Sequence, residues 1–246
     1  MTRLAVSEVF GPTLQGEGPG IGRPCVFLRV AGCPLSCRWC DTAYTWDWRG
    51  VSELAHEQGG PFDPRVEMHS REPSDVAAEV LGLLRAGDRL IVSCGEPCAQ
   101  QAAVVETLYA LREHVPSLYV EVETSGTIAP TPDLVSHVDQ LNVSPKLAHS
   151  GDPEHRRIVP DALAALRETG LACWKFVVAD AADVDEVAAI VDAHELGRQD
   201  VWLMPLGRHG DELDARTRVA ADAAVAHGWN LTPRLHVLAW GDERGR

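Results

Sequence analysis

The sequence predicts an α/β protein assembled from parallel βα units, arranged as an open sheet or as a complete or partial (β/α) barrel. Short runs rich in β-branched and aromatic residues are bounded by turn residues, helix-like runs fall between them and close on glycine, and the chemically distinctive residues gather where the strand-like runs end. In chain order the strand-like runs are CVFLRV (25–30), RLIVS (89–93), LYVEVET (118–124), VDQLNVS (138–144), CWKFVVA (173–179) and VWLMP (201–205). The first helix is expected over SDVAAEVLGLLRAG, with Ser74 as its N-cap and Gly87 as its stop. DALAALRETG, ADVDEVAAIVDAHELG and the segment from Asp211 to Gly228 follow the same rule, each closing on a glycine. The stretch from Tyr44 to Pro73, with Trp46, Trp48, Gly59 and Gly60, fits neither period and reads as an insertion at about 44–73. It is expected to belong to one domain spanning residues 1–246, since no repeat, linker or low-complexity segment divides the chain.

Composition narrows the function. The 246 residues carry a net charge of -14 without a Lys/Arg block, which argues against a nucleic-acid partner held by phosphate contacts and favours a small-molecule ligand. No apolar run approaches the roughly 20 residues that span a bilayer, and MTRLAVSEVFG lacks the basic-then-apolar layout of a signal peptide. A cytoplasmic protein with no membrane partner is the expectation. In a reducing compartment its seven cysteines read first as metal ligands or redox groups rather than disulfides. Cys25 and Cys173, each opening an apolar run, are expected to be small buried hydrophobes. Cys94 and Cys98 flank GEP in SCGEPC, a segment better explained below than as a second metal site.

The stretch GCPLSCRWCDT holds Cys33, Cys37 and Cys40 in a C-x3-C-x2-C array. A structural zinc site closes a tetrahedron with four ligands, and no second C-x2-C pair completes one here. Three closely spaced thiolates suit a soft iron–sulfur cluster better, and a four-iron cubane held by three of them keeps its fourth iron open for a substrate or cofactor.

This loop after the first predicted strand resembles the signature of the radical S-adenosylmethionine superfamily, with Trp39 before the last cysteine, GEP after the second strand and SPK after the fourth. The likeness extends over nearly the whole chain through EVFGPTLQGEG, GRPCVFLR, CDT, ETSGT, NVSPK and LHVLAWG, which together resemble the 7-carboxy-7-deazaguanine synthase family. The resemblance implies a partial or modified (β/α)6 TIM-like barrel, a 4Fe-4S cluster, S-adenosyl-L-methionine and Mg2+. It also implies radical ring contraction of 6-carboxy-5,6,7,8-tetrahydropterin with loss of ammonia, in queuosine-type tRNA modification or deazapurine biosynthesis. A flavodoxin-type or other reductant and a homodimer are implied in the same way. A glycyl-radical-activating enzyme, which shares the cysteine spacing, and a non-catalytic metal- or cluster-binding regulator stay open as alternatives.

The residues themselves suggest roles that the resemblance sharpens. Arg29 in an apolar strand must face a buried acid or an open pocket, because an unpaired guanidinium is costly to bury, and the resemblance assigns it the substrate carboxylate. Glu121 and Glu123 alternate with valine and so share a strand face; Glu123, nearer the catalytic end, suits the amino-pyrimidinone edge of a pterin. Thr42 is by itself a loop hydroxyl, and by resemblance a Mg2+ ligand. Leu14, Gln15, Gly16, Ser93 and His236 are implied substrate contacts. Trp39, Asp41, Gly95, Glu96, Ser144, Pro145 and Lys146 are implied contacts of S-adenosylmethionine, with Met204, Pro205, Leu206 and Gly207 at its adenine. Two departures from the family pattern stand out: Cys94 where glycine is usual, and the extension GDERGR beyond the terminal motif.

Overall fold

A computed structural model describes residues 2–246. Among the described residues nine strands form one sheet: β1 (Leu4–Leu14), β2 (Pro24–Val30), β3 (His69–Arg71), β4 (Arg89–Ser93), β5 (Tyr119–Thr124), β6 (Gln140–Val143), β7 (Ala172–Val178), β8 (Val201–Pro205) and β9 (Asn230–Leu231). The order across the sheet is β3-β1-β2-β4-β5-β6-β7-β8-β9, with β2 through β9 parallel and only β1 antiparallel to its two neighbours. All six strand-like runs read from the sequence are strands, shifted by two residues or fewer at either end.

β1 escaped the sequence reading, which placed no strand before residue 25. Its pairing with β2 slips between Val6 and Glu8 and again between Phe10 and Thr13, so no single period-two pattern runs along it. The first predicted helix is corrected at both ends. It runs Pro73–Leu83, with Glu72 at the N-cap position but making no side-chain cap bond, Ser74 inside its first turn and its end ahead of Gly87. Pro73 has its φ preset for a first helical turn, which moves the start forward. The helices Pro160–Glu168 and Gly210–His227 lie where expected, with Gly170 and Gly228 left-handed at their ends, whereas Ala181–Ala193 stops ahead of Gly197, with Glu195 in the left-handed position. The insertion folds as two short helices, Glu53–Glu57 and Pro64–Glu67, followed by β3 on the sheet edge.

The two faces of the sheet differ in chemistry. Val26, Leu28, Leu90, Val92, Val120, Val122, Leu141, Val143, Trp174 and Phe176 point one way into the main core, against Val80, Val104, Leu108, Leu163 and Val187 of the helices. The alternate positions, Phe27 and Arg29, Ser93, Glu123, Asn142 and Ser144, Lys175 and Val177, face a cavity instead. A parallel sheet buried on both faces reads as continuous apolar runs, so polar residues at every second position betray a cavity. Among the described residues, no helix is long and apolar enough to cross a membrane.

Candidate active site

The cysteine loop leaves the end of β2 and is pinned at several points. Gly32 N–H bonds to the Thr45 carbonyl at 2.8 Å, Ser36 N–H to Asp152 Oδ2 at 2.9 Å, and Arg38 N–H to the Ser150 carbonyl at 3.0 Å. Cys33, Cys37 and Cys40 thereby line one cavity, and all three are free thiols. Trp46 Nε1–H donates to Cys40 Sγ at 3.3 Å, with Thr42 Oγ1 3.6 Å from the same sulfur, an arrangement that stabilises a thiolate ligand. Burial pushes the Cys33 thiol up to about 12 and raises the other two as well, so loading a metal centre must release their protons. Among the described residues no three His, Cys, Asp or Glu side chains converge on a single ion. A soft, spaced three-thiol set fits a cluster of several metals better than one ion.

The same cavity is lined by a layer of charges. Glu17 accepts from Lys175 Nζ at 2.5 Å and from Arg234 Nε at 3.2 Å. Arg234 also binds the Asp41 carboxylate and approaches His236 Nε2 at 3.3 Å. Burial alone would raise Glu17 and Asp41, but Lys175 and Arg234 beside the first and Arg234 beside the second hold both below the usual carboxylate range. Glu123 goes the other way: burial raises it despite Lys175 at 3.8 Å, since Glu17 takes most of that cation. Burial also lowers His236, which favours its neutral form. Gly16 packs so closely on the His236 ring that any Cβ there would collide with Nδ1, and its carbonyl accepts from Leu235 N–H at 2.9 Å. The C-terminal helix Leu235–Trp240 is thus docked on the Gln15–Gly16 turn.

Seventeen of the expected residues line this cavity: Leu14, Gln15, Gly16, Arg29, the three cysteines, Trp39, Asp41, Thr42, Ser93, Gly95, Glu123, Ser144, Lys146, Met204 and His236. Gln15 Nε2 donates to Glu123 Oε1 at 3.2 Å, and Lys146 Nζ to Ser144 Oγ at 2.8 Å. Arg29 Nη1 donates to Glu8 Oε1 at 2.7 Å and to the Tyr44 hydroxyl, while its Nε is buried without a partner. Arg29 therefore meets both sequence expectations: it pairs with a buried acid and lines the cavity. Pro205, Leu206 and Gly207 line an adjoining cavity that shares Trp39, Asp41 and Met204 with the first.

Pro145 is buried and lines neither cavity. Glu96 departs most from its expected place. Oε1 accepts from Cys98 N–H at 3.0 Å and Thr124 Oγ1–H at 2.7 Å, and Oε2 from Ser125 N–H at 2.9 Å and the Ser125 hydroxyl. With four donors the carboxylate is saturated inside the protein, so an ammonium contact there requires breaking one of these bonds. The backbone beside it is tightly set: Gly95 has φ +43 and lies so near the Gly32 carbonyl that a Cβ would collide.

Sequence reasoning missed Glu17, Lys175, Arg234, Asn142 and Trp46. The argument applied to Arg29 would have found Lys175, a second cation inside an apolar strand run, CWKFVV. Glu17 stood in the quoted TLQGEG turn. Arg234 sits in the loop before the last helix, where no period marks it.

Taken together, sheet, thiol loop and cavity define an α/β iron–sulfur enzyme of the radical S-adenosylmethionine type. A family profile described as "4Fe-4S single cluster domain" matches residues 14–156. The chain is 40% identical over 245 residues to the 7-carboxy-7-deazaguanine synthase of Pyrobaculum aerophilum, covering 99% of this chain and 98% of that protein. It is 36% identical over 265 residues to the protein of that name from Halobacterium salinarum, covering 97% and 91%. The crystal structure of QueE from Escherichia coli superposes with a TM-score of 0.68 at 25% identity, covering 95% of each chain. This chain belongs to the 7-carboxy-7-deazaguanine synthase family.

Proposed function

We propose that this protein is a 7-carboxy-7-deazaguanine synthase, a carbon–nitrogen lyase that contracts 6-carboxy-5,6,7,8-tetrahydropterin to 7-carboxy-7-deazaguanine with loss of ammonia. The observation that carries it is the meeting of two sets on one cavity: three cluster thiols, and the carboxylate- and pterin-matching residues Arg29, Gln15 and Glu123. The 4Fe-4S cluster and S-adenosylmethionine supply one-electron, hydrogen-abstracting chemistry when bound.

The chain's own residues bind and orient. Arg29, which lines the cavity, binds the substrate carboxylate. Glu123 and the Gln15 amide take the amino-pyrimidinone edge, with neutral His236 closing the same side. Thr42 would offer a neutral oxygen to Mg2+, which would supply positive charge beside the substrate carboxylate. Ser144 and Lys146 hold S-adenosylmethionine on the cysteine side, Gly95 allows its close approach, and Met204 to Gly207 meet its adenine. The product enters queuosine-type tRNA modification or deazapurine biosynthesis. The wider reading has the sheet curl as a partial (β/α)6 barrel and the protein act in the cytoplasm as a homodimer. A flavodoxin-type or other reductant serves it, with no nucleic-acid or membrane partner.

The test is anaerobic turnover by reduced, cluster-reconstituted protein with S-adenosylmethionine, Mg2+ and 6-carboxy-5,6,7,8-tetrahydropterin. A product lighter by ammonia is expected, accelerated by Mg2+. Thr42→Ala should blunt the Mg2+ response, and Cys33→Ala, Cys37→Ala or Cys40→Ala should each abolish turnover. Cleavage of S-adenosylmethionine without ammonia loss would reject the synthase; stoichiometric zinc without sulfide would reject the cluster.

A further inference from the structure

The extension beyond the last helix folds back onto the substrate side of the cavity. Asp242 Oδ2 accepts from Arg208 Nη1 at 3.2 Å, and Arg208 Nη2 in turn reaches Glu57 at 2.6 Å, so the tail is tied to the insertion. Two residues on, Arg244 is held more firmly. Its Nη2 and Nη1 grip both oxygens of Glu67 at 2.8 and 3.3 Å, and its guanidinium lies 3.8 Å above the Tyr44 ring. Its Nε donates to Glu8 Oε2 at 3.1 Å.

Glu8 is the junction. Its Oε2 is taken by Arg244, while its Oε1 receives Arg29 Nη1 at 2.7 Å and the Tyr44 hydroxyl at 2.8 Å. A carboxylate and a guanidinium in free partnership favour a two-point fork, with both oxygens on one arginine. Arg244 competes for that fork by engaging the second oxygen. Arg29 is left with a single-point anchor to Glu8 through Nη1 and is stacked 4.7 Å from the Phe10 ring; its Nε is buried without a partner, and the residue lines the cavity.

We propose that the C-terminal tail is a strap over the substrate end of the cavity, and that Arg244 is a positioning residue. Through Glu8 it keeps the Arg29 guanidinium from turning two donors onto Glu8, leaving it for the substrate carboxylate. This rests on the reading above that Arg29 receives that carboxylate. Loss of Arg244 releases Glu8 to take Arg29 by both oxygens, so the substrate acid must compete with an internal one.

The experiment measures equilibrium binding of two probes, 6-carboxypterin and pterin without the carboxylate, to anaerobic cluster-loaded protein. Wild type should prefer the carboxylated probe. Arg244→Ala should weaken 6-carboxypterin by about tenfold and leave the unsubstituted pterin within about twofold, with KM raised and kcat held. Glu67→Gln removes only the outer anchor of Arg244 and should give a smaller loss in the same direction; it decides alone if Arg244→Ala does not fold. A wild-type preference retained in full by the variants overturns the strap but not the role of Arg29. Equal loss for both probes also overturns the strap, and a wild type that binds both probes alike overturns both readings.

Discussion

Cys94 occupies a backbone site made for a smaller residue. Its φ of +58 lies in the left-handed region, where a side chain costs about 1–2 kcal/mol, and the following Gly95 is also at positive φ. The thiol meets Ser93 Oγ at 3.5 Å and is raised to about 11 by burial, although the Arg29 charge opposes this. It therefore stays a neutral thiol at physiological pH. Because the strain belongs to the backbone, thermal unfolding should rank Cys94→Gly at or above the unmutated protein and Cys94→Val clearly below it, since a β-branched residue tolerates positive φ worst. A Val variant as stable as the Gly variant would show that φ is not what limits this site.

At the scale of elements, the loops at the strand ends are held to one another as well as to the cavity. Glu96, after β4, takes four donors and joins its own loop to the end of β5 through Thr124 and Ser125. Glu96→Gln replaces an acceptor oxygen by an NH2 facing these donors. It should cost roughly 1–3 kcal/mol and lower Tm by several degrees. Calorimetry with a parallel measurement of S-adenosylmethionine binding separates the roles: unchanged Tm with lost binding would return Glu96 to direct contact with the cofactor. The spacing SCGEP placed this glutamate at the catalytic end of a strand, as the sequence indicated. Which way its carboxylate turned depended on Thr124 and Ser125, 28 and 29 residues away.

For the molecule as a whole, the charge layer makes stability depend on pH. Glu17, Asp41 and Glu8 have folded pKa values below their ordinary ones, so each contributes stability present above its ordinary value and lost as pH falls. His236, lowered from 6.5, behaves with the same sign at higher pH, because the fold favours its neutral form. Glu123 and Asp242, raised by burial, contribute in the opposite sense, with stability present at low pH and lost as pH rises. The lowered groups sit on the ion pairs that close the cavity, so the urea midpoint should fall on acidification, first below about 6.5 and more steeply below about 4.5. Glu17→Gln should lower the midpoint at neutral pH by leaving Lys175 and Arg234 short of a counter-charge, and should flatten the acid limb. Parallel acid limbs in the two proteins would show that Glu17 does not control the transition.

The sequence by itself determined the six central strands, the cysteine loop and the strand ends at which the chemically distinctive residues gather. Those features are local: alternation follows the two-residue pleat, turns follow residue type, and a motif at a strand's end inherits the strand's direction. Only the tertiary structure decided that β1 pairs beside β2 through two register slips, that Arg234 reaches Asp41 across 193 residues, and that Arg244 shares Glu8 with Arg29. Partner choice among buried charges is set by which groups the packed helices and strands bring within a few ångströms and shield from water. No period in the chain records that, so these pairings become legible only in three dimensions.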